Sequence, residues 1–470
     1  MSSTTRIRID GDVLLLGAGS VSQCLQPLLL RHLDMTFDRL TVMDGEDKRD
    51  QCKQLLAAGA RYVRYQLTPD NLARTLDEHL ARGDILINLA WGAGTQDMVE
   101  WCHDHEVRYL DSCHDHWALP DGPADPAVPT LRAMHRALRT TAARWTSPAP
   151  TAIVDHGANP GLVSHWTKVA LEDLATAMTT SPEQLPAPLA PTRRALLEKA
   201  LADGDHARLA MLTGTKAIHI SERDTQISHR PKQAGEFVNT WSAEGLHEEA
   251  TAPAELCWGT HEAAPPPGAV LDEGYLRLPR SGMATRVRSW VPSGGPILGL
   301  LIQHGEVVTI GDHLTIRDGD DVRYRPTVHF AYRPCDDALA SLHECHANGS
   351  TLQPRRRVMT DDITSGMDEL GILLLGHDLG GWWTGSQLTI EQTRDLVGAH
   401  NATTLQVAAS LLAAILHLVR HPDQGLRVPD DLDHREVLAV ATPYLGDCPS
   451  VRADWAPASG TCRFSDFLAP

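Results

Sequence analysis

Apolar positions in the first part of the chain come as short unbroken runs. Residues 13–16 read VLLL and lead into the turn Gly17-Ala-Gly-Ser-Val-Ser22, after which 24–33 has the spacing of a helix. A second run, 40–43, closes on Asp44, and further runs at 61–67, 85–89 and 108–110 are separated by helical patterns. Continuous apolar strands alternating with helices predict a parallel, doubly wound sheet buried on both faces. The pattern shifts at residues 146–150, TSPAP, ahead of a strand expected at 151–154. Proline-rich stretches at 182–191 and 263–268 read as surface loops. From 289 to 332 the pattern predicts strands at 297–303, 307–310, 313–316 and 328–332, separated by Gly and Asp turns, as in a largely antiparallel sheet. Residues 403–418 read as a long buried helix that returns to cover the first sheet. The expected fold class is therefore α/β, a Rossmann-type doubly wound sheet joined to an α+β unit. Its domains are 1–150, completed by a helix near 401–420, then 151–400, then a carboxyl-terminal extension 421–470.

Composition narrows the partners. The 470 residues include 42 Lys and Arg against 60 Asp and Glu, a formal charge of −18 that disfavours nucleic acid and anionic membrane surfaces and suits a small cationic ligand, although acidity also serves solubility alone. The aromatic set is weighted to Trp, with 11 Trp and only 5 Phe. Nine scattered cysteines and a start, MSSTTRIRIDGD, without an apolar signal region point to a reduced cytoplasm. The most apolar stretch, 405–419, is interrupted by Gln406, Ser410 and His417, so no membrane span is expected.

The glycine turn carries the first chemistry. Gly17 and Gly19 match the first two glycines of the dinucleotide fingerprint, Ser22 replaces the third, and Asp44 lies about 20 residues on, where it would accept bonds from ribose hydroxyls and disfavour a 2′-phosphate. NAD is the expected cofactor. Its contacts are expected from Gly17, Gly19, Ser20, Val21 and Asp44, from Asn88, Ala90, Asp111 and Ser112 at strand ends, and from Asn159 and Pro160 in the turn DHGANPG. The tetrapeptide CHDH occurs at 102–105 and at 113–116, an arrangement that invites a metal reading. The first copy falls on a helix (97–105) and the second beyond a strand (107–112), so their ligands cannot be presented alike, and no metal is expected. A cationic amine is recognised by carboxylates beside an aromatic face, and Glu222, Trp241, Glu244, Glu248 and Glu249 offer that chemistry, each Glu having a solvated surface as its plainer role.

The ordered series DHGANPGLVS (155–164), IHISERDTQ (218–226), FVNTWSAEG (237–245), PAELCWGTHE (253–262), TRVRSWVP (285–292), YRPTVHFAY (324–332), DELGILLLGH (368–377), NATTLQVAAS (401–410) and TPYLG (442–446) resembles the bacterial homospermidine synthases, within the wider saccharopine reductase-like group. The resemblance implies a reaction without net redox change. Bound NAD takes hydride from putrescine, a second amine displaces ammonia from the imine, and the stored hydride reduces the new Schiff base, an aminobutyl transfer. It implies that Trp241 stabilises the cationic intermediate, that Glu222 and Glu249 anchor ammonium groups, that Asn159, His304 and Asp368 line the same pocket, and that the enzyme is a homodimer. Two positions depart from the family pattern. Gly92 stands where an acid is usual, and Asp115 replaces a Glu. A different amine substrate, or a related dehydrogenase with net NADH turnover, remains an alternative.

Overall fold

The computed structural model describes residues 6–117 and 130–469. Residues 1–5, part of the stretch read as lacking a signal region, and 118–129, inside the first expected domain, lie outside the described residues.

Two sheets organise the fold. The first has seven parallel strands in the spatial order Gln424–Arg427, Ala149–Ile153, Arg108–Asp111, Ile85–Asn88, Val13–Leu16, Leu40–Asp44, Arg61–Arg64. Chain order reverses at Val13–Leu16, which pairs with both Leu40–Asp44 and Ile85–Asn88, so the crevice at its carboxyl end is a topological switch point. Val13, Leu14, Leu15 and Leu16 are all buried because helices cover both faces, which explains an unbroken apolar run in place of alternation.

The second sheet has ten strands and is mixed. Thr327–Arg333 runs parallel to Ala217–Asp224, and the other pairings, from Val270–Asp272 at one end to Ser450–Ala453 at the other, are antiparallel. Strands at 327–333 and 295–300 agree with the sequence pattern. Those expected at 307–310 and 313–316 do not form. Residues 306–313 are the helix Glu306–His313, and only Ile316–Asp318 beyond it pairs, with Asp321–Tyr324. A short apolar run buried all round has no period that separates helix from strand. Of the two expected loops, 182–191 contains a 3₁₀ turn and gives way to the helix Pro191–Asp203, whose proline occupies the permissive first turn.

The helix Ala402–Arg420 joins the two halves. Asn401 caps it by accepting the Thr404 N–H at 2.8 Å, while its amide donates to Thr240 O (2.5 Å) and Met359 O (2.7 Å), which is why NATT opens this segment. It is long and apolar enough to cross a membrane by length and composition alone, yet 89% of its most apolar stretch is buried inside the fold. It packs on the glycine-turn helix Ser20–His32 and on strands of both sheets, so a single apolar core runs from Leu15 and Leu110 to Ile220 and Ile372. Residues 421–470 contribute an edge strand to each sheet.

Candidate active site

The nucleotide cleft follows from the glycine turn. Gly17 has φ of +87°, and a Cβ there would lie 2.5 Å from Leu89 O, so the turn sits directly on the loop after the neighbouring strand. A Cβ on Gly19 would meet nothing within 4 Å, which leaves the backbone open to close approach. Gly19 caps Ser20–His32 without a side-chain bond, and no acidic residue occupies the first turn, so the helix N–H groups and positive dipole end are available to a pyrophosphate. Val21 is half-buried in that first turn. Asp44 supports the turn, accepting Ala18 N–H and Glu46 N–H (both 2.8 Å), with Lys48 3.3 Å away. The strand ends are equally braced. Asn88 Oδ1 accepts Ala90 N–H (3.2 Å), and buried Asp111 accepts Tyr109 O–H (2.9 Å), Thr95 O–H (3.0 Å) and Asp155 N–H (2.7 Å). Ser112 and Pro160 carbonyls converge on Gly157, where a Cβ would lie 3.2 Å from each.

The cofactor turn is tied to the segment after the strand Glu236–Asn239 at Trp241, whose carbonyl accepts the Ser20 hydroxyl at 2.5 Å. The indole lies against the first turn of the helix Ala243–Thr251, close enough to Gly245 that a Cβ there would sit 2.5 Å from the ring. The last turn of this helix carries Glu248 and Glu249. Glu249 reaches His304 (3.3 Å), whose other ring nitrogen meets fully buried Glu306 at 3.0 Å. Burial opposes protonation of His304, but the two flanking glutamates raise it well above the ordinary histidine range and so favour its cationic form. On the sheet, Glu222 accepts the Asn159 amide (3.0 Å) and stands in register with Tyr332, while Asp368 is opposite Asp224. Asp224 is satisfied by Gln226 and Thr240; Asp368 accepts Thr403 O–H at 2.6 Å through one oxygen, and its other oxygen and the Tyr332 hydroxyl are buried without partners among the described residues. Burial first, then repulsion from Asp224 at Glu222 and from Glu222 and Asp224 at Asp368, push both carboxyls above the usual carboxylate range. A group of buried acids with orphaned polar atoms, an aromatic neighbour and one counter-cation is suited to an entering ammonium, which would restore their ionised forms.

Comparison with known proteins accords with this geometry. Residues 13–153 match the family model Saccharopine dehydrogenase NADP binding domain, and residues 157–448 match Saccharopine dehydrogenase C-terminal domain. The homospermidine synthase of Blastochloris viridis is 39% identical over 466 residues, 96% of this chain and 93% of that protein; that of Mesorhizobium japonicum is 36% identical over 463 residues, 96% and 92%. The chain belongs to the homospermidine synthase family. The crystal structure of the Legionella pneumophila homospermidine synthase, a complex with NAD, superposes with a TM-score of 0.87 at 32% identity, covering 99% of each chain.

Of the site residues expected for a homospermidine synthase, the structure brings Asn159, Glu222, Asp368, His304 and Glu249 into one chain of neighbours, Trp241 stands just ahead of the helix that carries Glu249, and Asp115 faces Glu248 on that helix. Asp115 Oδ2 accepts Gly92 N–H (3.2 Å), and burial, with Glu248 adding, lifts its carboxyl to about 7. Glu306, Asp224 and Tyr332 belong to the cluster although sequence reasoning did not single them out; each lies within two residues of a named motif position or across the sheet from one. The two CHDH copies are indeed presented differently. His103 and His105 stack on Trp145 and Trp101, whereas His114 approaches His135 and Asp155, which themselves lie 2.9 Å apart; ligand-type atoms of these three lie within 4.8 Å of one another.

Proposed function

We propose that this homospermidine synthase-family enzyme transfers the aminobutyl group of putrescine to a second amine, releasing ammonia, with NAD resident in the glycine-turn cleft. When bound, NAD supplies a reversible hydride acceptor that makes an amine carbon electrophilic and later restores it. The protein's own part is binding and proton handling. The face of Trp241 stabilises the substrate cation without neutralising it, Glu222 held by Asn159 fixes one ammonium, and Glu249 held by His304 fixes the other. His304, kept charged by Glu249 and Glu306, and Asp115, lifted to about 7, can each hold a proton while ammonia leaves and the second amine attacks. Asp44, Gly17, Gly19, Ser20 and Val21 hold the adenosine and pyrophosphate side, and Asn88, Ala90, Asp111, Ser112, Asn159 and Pro160 shape the nicotinamide side.

The observation that carries the proposal is the Ser20–Trp241 bond, which ties the cofactor turn to the helix bearing Glu249. With putrescine and NAD, homospermidine and ammonia should form without stoichiometric NADH; steady NADH accumulation would instead indicate a dehydrogenase. The proposal includes a cytoplasmic homodimer divided at about residues 150 and 400, the oligomer to be checked by light scattering.

A further inference from the structure

Glu248 and Glu249 are consecutive on one helix, so their side chains diverge by about 100°. Glu249 turns to His304, while Glu248 turns to the loops at 90–94 and 113–117. There its Oε2 accepts the Trp91 indole N–H at 2.8 Å and its Oε1 meets His116 at 3.2 Å. Trp91 is 50% exposed although it is the bulkiest kind of side chain, and its N–H is used by Glu248, so the ring is held by its edge with half of its surface open. Asp115 lies alongside, bonded to Gly92 N–H, and its ionisation is affected by Glu248. Both Glu248 oxygens are anchored, yet each keeps a second lone pair, and the Asp115 carboxyl, lifted to about 7 by burial and by Glu248, becomes a further negative centre when an ammonium approaches and favours its ionised form. Side-chain exposure rises from 19% at Glu249 to 37% at Glu248, so this group forms the outer rim of the amine pocket.

We propose that Trp91 and Glu248, with Asp115, form an ammonium-binding subsite at the pocket rim that takes the far ammonium of the acceptor amine. The subsite supplies from the helix a carboxylate that the 90–94 loop does not carry. It sets specificity by requiring a second positive charge on the acceptor, so diamines are used in preference to monoamines. This rests on the proposed aminobutyl transfer, and the test separates the two. Putrescine and n-butylamine, which lacks the far ammonium, compete as acceptors for the NAD-loaded enzyme, with products resolved by mass spectrometry. Glu248→Gln should reduce the preference for putrescine about tenfold, as for a lost charge-assisted contact, and Trp91→Ala about threefold, with Trp91→Phe recovering part of it. NAD affinity should be unchanged in all three. An unchanged preference in both Glu248→Gln and Trp91→Ala overturns the subsite while leaving the reaction standing. If the unaltered protein makes no aminobutyl product, the reaction is wrong and the subsite is judged by calorimetry of putrescine binding, where equal affinity of wild type and Glu248→Gln overturns it.

Discussion

Burial lifts the Asp115 carboxyl from the ordinary 3.8 to about 7, with Glu248 adding to the effect, and this has a sign in stability. Between those values the folded protein holds a proton that the unfolded chain has released, so stability falls as pH rises through the window and is greatest below it. Glu222 and Asp368 are shifted the same way and add to the trend. Asp115→Asn, which cannot ionise, should therefore lose less of its urea midpoint between pH 5 and pH 8 than wild type does; an equal loss would show that Asp115 is not desolvated. At this scale the sequence singled out a residue only where a motif carried it, as for Trp241, Glu222, Glu249 and Asn159. It was silent on pairing across distant segments. Trp91 and Glu248 are 157 positions apart, and nothing local marks their contact. Glu306 looked like one of many acids until its complete burial against His304 set it apart.

Among the elements, the glycine turn was the most legible because its constraint is local and severe. Gly17→Ala places a methyl 2.5 Å from Leu89 O at a φ of +87°, and strain of about 1–3 kcal/mol would be relieved by moving the turn off the strand end. NAD affinity, followed by quenching of protein fluorescence, should fall by at least about tenfold; retained affinity would mean the cofactor lies elsewhere. The turn 155–161 is held more tightly still. Gly161 has φ of +134°, and a Cβ there would fall 1.7 Å from Gly157 O, which gives GANPG a structural cause independent of any ligand. The helix Glu306–His313 was misread as strand because its residues 307–310 are buried on every side, which removes the amphipathic signal that distinguishes a surface helix. The same helix begins beside His304 and supplies its buried partner Glu306.

Across the whole molecule, the two sheets share one core through Ala402–Arg420, so they are expected to unfold together. Leu412, fully buried in that helix, is the test: Leu412→Ala should cost about 2–5 kcal/mol and lower a single cooperative transition seen alike by NAD-cleft and second-sheet probes. Two separated transitions would show that the halves fold independently. The carboxyl-terminal segment, read as an extension, supplies edge strands to both sheets, a long-range pairing that residues 424–427 and 450–453 do not announce. What the sequence alone determined was local: parallel strands from unbroken apolar runs, a nucleotide turn from Gly17 and Gly19, and a family from an ordered series of motifs, because each depends on neighbours in the chain. The tertiary structure alone decided which acids became a site. Charge and burial at Glu222, Asp368, Glu249 and Glu306, and the orphaned oxygen of Asp368, arise only when separate strands and helices exclude water together, and the rim of Trp91 and Glu248 exists only because two distant loops and one helix meet.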